Sequence, residues 1–186
     1  MSNTKKGNPM ADKPEFSHLK GHVLISGPTE QKRYVAFHEA GHATIACVLE
    51  LSLEYATINI PALYALRLEG LTKLSGEFDC DDSQKKLKFY LAGVTAAHRM
   101  RTGKLNPDGI ELLEEASQTG ARDLQMMEDE ITLCKMVNED LPDNIVEQTV
   151  HLVNMYWLLV EKVAARLLEV GTITGDEVQQ LRSELF

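Results

Sequence analysis

The chain has 186 residues, which is enough for one domain with a sizeable apolar core. Its hydrophobic fraction of 44% and charged fraction of 25% are typical of a soluble globular protein. The net charge of −9 argues against a nucleic acid as the main partner, because phosphate recognition relies on clustered lysine and arginine side chains.

The beginning of the chain predicts a flexible tail over residues 1–24, followed by one domain over residues 25–186. The tail is polar and lacks the apolar core of a signal peptide, and no run of about 18 apolar residues predicts a membrane helix. The three cysteines are too far apart for a thiolate zinc knot or a disulfide framework, so we expect reduced thiols and a cytoplasmic location. We expect Cys47 and Cys134 to be buried on helices, whereas Cys80 carries no prediction.

Helical patterns dominate the chain, and the expected fold class is mainly α with a small β-sheet (α+β). A helix-start signal at residues 27–30 opens an apolar helix that runs to about Glu50. The alternation over residues 56–60 predicts a strand that Pro61 stops, and residues 63–72 could supply a second. Further helices are predicted over residues 82–102, within 104–118 after an Asn-Pro-Asp-Gly turn, over 119–138, over 143–170, and after a capping box formed by Thr174 and Glu177.

The segment HEAGH at residues 38–42 carries the clearest chemical signal. On a helix, His38 and His42 lie on one face, where two imidazoles can hold one zinc ion. Between them, Glu39 can deprotonate a water held by the metal and pass the proton to a leaving amine. The competing explanation is two inert, hydrogen-bonded histidines. A bound metal is the favoured explanation, because burying unpaired ionisable side chains on an apolar, Ala-rich helix costs free energy. A glycine in the middle of a helix costs about 1 kcal/mol of helix stability. We therefore expect Gly41 to be there because another backbone packs closely against it.

A hydrolytic zinc site needs a third protein ligand besides the two histidines, and an open coordination position. No histidine lies six residues beyond His42, so the ligand is expected to be a distant acid. Periodicity alone leaves five candidates open: Glu69, Asp108, Glu114, Glu115 and Asp123. For Asp123 the competing explanation is an acid that stabilises the positive end of its helix.

Five strings in the chain resemble, in the same order, the peptidase domain of FtsH-type AAA proteases. They are FHEAGHATIACVLE, ATINIP, YLAGVTAAHRM, TGARDLQMME and VAARLLEVGTITGDEVQQL, and the similarity runs over about residues 34–181. The resemblance implies a mostly helical zinc-peptidase domain with a small sheet. It implies that His38, His42 and Asp123 bind one Zn²⁺ ion per chain, and that Glu39 is the catalytic base.

The chain departs from the family pattern in several places. The sequence predicts neither the family's membrane anchor nor its ATPase module, and Gly103-Lys104 lacks the upstream glycine of a P-loop, so no ATP site is expected. The family's GGRAAE string appears here as AGVTAA over residues 92–97. The loss of its Arg and Glu would alter helix contacts or an oligomer surface rather than the zinc site. The segment over residues 104–118 is longer than usual before the third ligand. His98, which could face substrate, is expected instead to be a surface histidine.

The first functional hypothesis is a stand-alone zinc metallopeptidase that cleaves peptides or unfolded protein segments. It would act alone, as a homo-oligomer or together with a separate ATPase partner. We expect no nucleic-acid partner and no membrane-spanning segment. The alternative is a catalytically silent, zinc-binding partner or regulatory subunit derived from an FtsH-type peptidase. A third hypothesis is a helical interaction protein without a metal.

Overall fold

The computed structural model describes residues 28–59, 70–75, 83–136 and 144–186. Within these ranges the chain forms seven helices and three strands. In chain order they are α1 (Pro28–Val48), β1 (Leu53–Thr57), β2 (Leu71–Leu74), α2 (Ser83–Thr102), α3 (Gly109–Thr119), α4 (Ala121–Met136), α5 (Ile145–Met155), α6 (Trp157–Val170), β3 (Thr172–Thr174) and α7 (Gly175–Leu185). The fold is mainly helical with a small antiparallel sheet, which confirms the expected α+β class.

Helix α1 is the central element, packed between α2 and α6. A β-carbon at Gly41 would lie 2.8 Å from Cβ of Ala96 and nearer still to the carbonyl oxygen of Ala92. Only glycine therefore allows the backbones of α1 and α2 to come this close, which confirms the packing role expected for it. The apolar core around this contact is completed by Ile45, Val153, Leu159, Val163, Leu167, Ile173 and Val178, all fully buried.

The sheet lies beside α1 in the order β2-β1-β3, with both pairings antiparallel. Tyr55 in the central strand pairs with Lys73 on one side and Thr174 on the other. The predicted strand over residues 56–60 is displaced, because β1 ends at Thr57. The bounds of β1 are set by its two partner strands, and this pairing over long sequence distances is invisible to a local pattern.

The other strand predictions have different outcomes. The second strand predicted within residues 63–72 falls mostly outside the described residues, and β2 begins only at Leu71. Strand β3 was not predicted: it is three residues long, and nothing in so short a segment separates it from a turn.

The predicted capping box of α7 is confirmed, and one predicted helix is broken in two. Asp108 caps α3 in a capping box with Glu111, and Thr174 caps α7 in the predicted box with Glu177. The single helix predicted over residues 143–170 is wrong, because Tyr156 interrupts it with φ −101° and ψ 21°.

The break at Tyr156 coincides with an aromatic contact that the sequence does not reveal. The next residue, Trp157, stacks on Phe37 with 5.6 Å between ring centroids, and the guanidinium of Arg99 lies 4.0 Å from the Trp157 centroid. Helix α6 therefore starts where its first side chain docks between α1 and α2.

Two predictions about the whole chain can be compared with the described part. Cys47 is buried on α1 as predicted. Cys134 lies on α4, Cys80 falls outside the described residues, and so does the predicted tail over residues 1–24. Among the helices of the described ranges, none has both the length and the apolarity required to cross a bilayer.

Candidate metal centre

Helix α1 places two imidazoles one above the other, as the spacing in HEAGH predicts. His38 and His42 are both buried, with 8% and 3% of their surface exposed. Their Nε2 atoms are 3.1 Å apart. Both rings therefore direct the same nitrogen to one point, which hydrogen-bonded but independent histidines would have no reason to do.

Helix α4 brings a carboxylate to the same point. Asp123, in the first turn of α4, places Oδ2 2.8 Å from Nε2 of His38 and 3.2 Å from Nε2 of His42. Its side chain is 22% exposed, so the centre is reached from solvent on this side. Among the described residues, these three form the one group of histidine, cysteine and acidic side chains close enough to share a metal ion.

The other acids that the sequence left open lie elsewhere or are not described. Asp108 caps α3, Glu114 is exposed, and Glu115 is buried in a separate network with His98 and Arg101. Glu69 falls outside the described residues. Of the four candidates that the structure describes, Asp123 alone meets the two histidines.

A backbone hydrogen bond sets the orientation of His42. Its Nδ1 lies 2.7 Å from the carbonyl oxygen of Phe89 on α2. Because a carbonyl oxygen only accepts, Nδ1 carries the hydrogen and Nε2 presents its lone pair to the centre. Nδ1 of His38 is buried and has no hydrogen-bond partner among the described residues. This second histidine is therefore oriented by packing rather than by such a bond.

The charges of the three side chains are strongly coupled. Burial would lower the pKa of His42, but the Asp123 carboxylate outweighs burial and raises that pKa to about 9. Burial would raise the pKa of Asp123, but the two imidazoles hold it well below its usual range. Three converging acceptor atoms repel one another unless a cation lies between them, so a proton and a metal ion compete for this position.

The separations fit a tetrahedral metal ion. Ligand atoms at the zinc distance of 2.0–2.1 Å are roughly 3.3 Å apart in a tetrahedron, and the three observed separations lie between 2.8 and 3.2 Å. Space next to both Nε2 atoms is left by Gly93 on α2, where a β-carbon would lie 2.7 Å from Nε2 of His38 and nearer still to Nε2 of His42. The donor set therefore fits a divalent cation.

Glu39 is buried near the centre, where its charge interacts with those of His38, His42 and Asp123. It is 5% exposed, and its Oε2 accepts a hydrogen bond of 2.7 Å from the hydroxyl of Thr72 on β2. A β-carbon at Gly70 would come within 2.6 Å of Cγ of Glu39, so the chain packs closely against this carboxylate. Burial raises the pKa of Glu39, while the two imidazoles and the Thr72 hydrogen bond counteract the shift. The carboxylate is held in place and remains close to the metal ligands.

Several residues that shape this centre could not be found from the sequence, and the predicted exposure of one histidine is wrong. Thr72, Gly93 and the carbonyl of Phe89 carry no local signal that connects them with HEAGH. The expectation that His98 is a surface histidine is wrong, since it is only 5% exposed. The run before it over residues 91–97 has no charged residue, which is a signal that this part of α2 is buried.

His38, His42 and Asp123 could together hold a divalent cation, and the Glu39 carboxylate lies nearby. No protein-family model matches the chain, and no curated protein matches it significantly.

Proposed function

We propose that this protein is a zinc-dependent metalloendopeptidase of the FtsH peptidase-domain type. His38, His42 and Asp123 would hold the zinc ion, and Glu39 would be the catalytic base. One observation carries the proposal: three acceptor atoms from α1 and α4 converge beside a buried carboxylate that is not itself one of them. A purely structural zinc site has four protein ligands and no need of a neighbouring base.

The chain's own residues account for the proton transfers of peptide hydrolysis. A zinc ion bound by the three ligands would act as a Lewis acid on the scissile carbonyl and lower the pKa of water to about 7. Glu39 takes the proton of the attacking water and then delivers it to the leaving amine. The hydroxyl of Thr72 donates to Oε2 and so restricts the rotamer of the carboxylate.

The position of β2 supports a peptide as the substrate. Among the described strands, β2 pairs with β1 alone and is therefore an edge of the sheet. Thr72 joins this edge strand directly to Glu39. An extended peptide could pair with this edge strand, which contacts Glu39 through Thr72, and backbone hydrogen bonds of this kind accept many sequences. Such binding requires an extended segment, which favours peptides and unfolded regions over folded proteins.

The silent zinc-binding subunit remains the alternative in the same family. It would keep the three ligands while the base becomes dispensable. The buried, hydrogen-bonded position of Glu39 favours the hydrolase, because burying a carboxylate without a use for it costs free energy.

The proposal is tested by metal content and chelator-sensitive cleavage of the same preparation. We expect elemental analysis to find close to one zinc per chain, and casein or an unstructured fluorogenic peptide to be cut. Cleavage should stop with a chelator and return when zinc is added back. Stoichiometric zinc without cleavage would support the silent subunit, and no bound metal would support the metal-free interaction protein.

A further inference from the structure

A second buried polar cluster lies next to the metal centre and takes no part in the chemistry proposed above. Its centre is Glu115 on α3, which is only 2% exposed. Oε1 accepts hydrogen bonds from the hydroxyl of Tyr34 at 2.9 Å and from Nε of Arg101 at 3.2 Å. Oε2 accepts from Nδ1 of His98 at 2.5 Å and from Nη2 of Arg101 at 2.6 Å. The buried carboxylate is thus surrounded by donors from two other helices.

Tyr34 connects this cluster with His38, the first of the candidate metal ligands. This tyrosine lies four residues before His38 on α1, and its ring stacks on the imidazole with 6.4 Å between centroids and 30° between planes. Nε2 of His38 faces Asp123, but its Nδ1 has no hydrogen-bond partner among the described residues, so the ring contact with Tyr34 helps to hold that side of the imidazole. The hydroxyl of Tyr34 is in turn held by Glu115.

The end of α3 connects this cluster with Asp123, the third candidate metal ligand. The Tyr34 hydroxyl also hydrogen-bonds Oγ1 of Thr119 at 2.8 Å, and Thr119 is the last residue of α3. Gly120 alone separates it from α4, where Asp123 lies in the first turn. The same hydroxyl group therefore connects the helix that carries both histidines with the junction that positions the aspartate.

We propose that Glu115 is a positioning residue for the metal centre, which holds His38 and Asp123 at the separation a metal ion requires. Tyr34 transmits its effect to His38, and Thr119 transmits it to Asp123. A carboxylate with four donors is a rigid unit, since loss of any member leaves a buried polar group unpaired. The inference rests on the proposed zinc centre and assigns a role to α3.

The test measures metal affinity directly, with cobalt(II) as a spectroscopic substitute for zinc. Wild type, Glu115→Gln and Tyr34→Phe are titrated with cobalt(II), and zinc affinity is measured by chelator competition. Glu114→Gln is the matched control, because the same change is made one residue earlier on an exposed part of α3. We expect affinities about 10- to 100-fold weaker for both network variants, as is usual when groups that orient metal ligands are lost. Their cobalt absorption bands should also shift, whereas the control should match wild type.

The outcomes separate this inference from the proposed function. If wild type binds cobalt and both network variants bind it equally well with the same spectrum, the positioning role is wrong and the zinc centre stands. If wild type binds no metal, both proposals are wrong. Should Glu115→Gln fail to fold, Tyr34→Phe decides, because it keeps the ring against His38 and removes only the hydroxyl. A variant with lower thermal stability but unchanged affinity would indicate a structural role alone and overturn the inference.

Discussion

Gly93 on α2 faces Nε2 of His42 so closely that no side chain fits between them. A β-carbon at this position would also lie 2.7 Å from Nε2 of His38, which is shorter than real Cβ contacts. The two imidazoles therefore point into a space that exists because α2 has a glycine there. Helix α2 contributes no ligand among the described residues, yet it sets the room in which the ligands meet.

We expect Gly93→Ala to abolish tight metal binding without unfolding the protein. The added methyl group would push both Nε2 atoms away from the point they share with Asp123. Isothermal titration with zinc measures the effect, and an affinity within threefold of wild type would contradict this account of the site. Gly109→Ala is the control, since a β-carbon there meets only Val146 at an ordinary 3.9 Å.

Replacing Glu39 with Gln should abolish hydrolysis while zinc remains bound. The amide keeps the size of the side chain and an acceptor for Thr72, but it cannot take a proton from water. We expect peptide cleavage to fall by about 10²- to 10⁴-fold, the usual contribution of a general base. The measurement is kcat together with zinc content, and chelator-sensitive cleavage that persists in this variant would show that Glu39 is not the base.

Thr72→Val should lower kcat with little change in metal affinity. The substitution removes the hydrogen bond that orients Glu39, and a hydrogen bond of this kind contributes about 1 kcal/mol, or roughly a fivefold change in rate. Thr132→Val is a suitable control, because that exposed hydroxyl bonds only to the backbone of its own helix. Equal kcat values for wild type and the Thr72 variant would remove Thr72 from the site.

Zinc should stabilise the fold, because a metal that binds the native state alone shifts unfolding by mass action. At free zinc about 100-fold above Kd, the stabilisation is about 2.7 kcal/mol, which corresponds to a rise in Tm of about 5–10 °C for a domain of this size. We expect Asp123→Asn to lose most of this rise, as scanning calorimetry with and without zinc would show. Asp129→Asn, on an exposed part of the same helix, should keep it.

The Glu115 network should make the metal-depleted protein sensitive to acid. Burial would raise the pKa of Glu115, but hydrogen bonds from His98 and Arg101 lower it to about 2 from an ordinary value of 4.5. A carboxyl group whose pKa is lower in the folded state stabilises the fold above the unfolded pKa. That stabilisation is lost as the pH falls from about 4.5 through about 2.

Urea unfolding at several pH values, with a chelator present, measures this sensitivity. We expect Glu115→Gln to be less stable than wild type at neutral pH and to lose less stability between pH 4.5 and 2. The groups that face Glu115 come from α1 (Tyr34) and α2 (His98 and Arg101), and they are the same in both proteins. Glu114→Gln should follow wild type, and parallel curves for all three proteins would contradict the assignment.

The parts of the fold that depend on neighbouring residues were predictable. The capping box of α7 and the start of α1 at Pro28 depend on residues within one turn of helix, whose spacing can be recognised in the sequence. The bounds of β1 and the break at Tyr156 depend on distant partners, β2 and β3 in one case and Phe37 and Arg99 in the other. No local pattern contains that information.

The same division holds for the candidate site. The pairing of His38 with His42 follows from helix periodicity alone, because four residues make about one turn. The choice of Asp123 among distant acids could come from the sequence only through the FtsH resemblance, since nothing in its spacing separates it from Glu115. The structure separates them: Asp123 lies 2.8 Å from an imidazole of the metal centre, while Glu115 is enclosed by Tyr34 and the end of α2.

The sequence by itself thus determined the helical period of HEAGH, the capping box of α7 and the mainly helical class, all of which depend on residues a few positions apart. Only the tertiary structure decided which carboxylate closes the centre, that Gly93 leaves room for it, and that Thr72 holds Glu39. These relationships join residues 33 to 85 positions apart, and packing of whole helices and strands brings them together. The free energy of such packing is spread over the core and has no local signature.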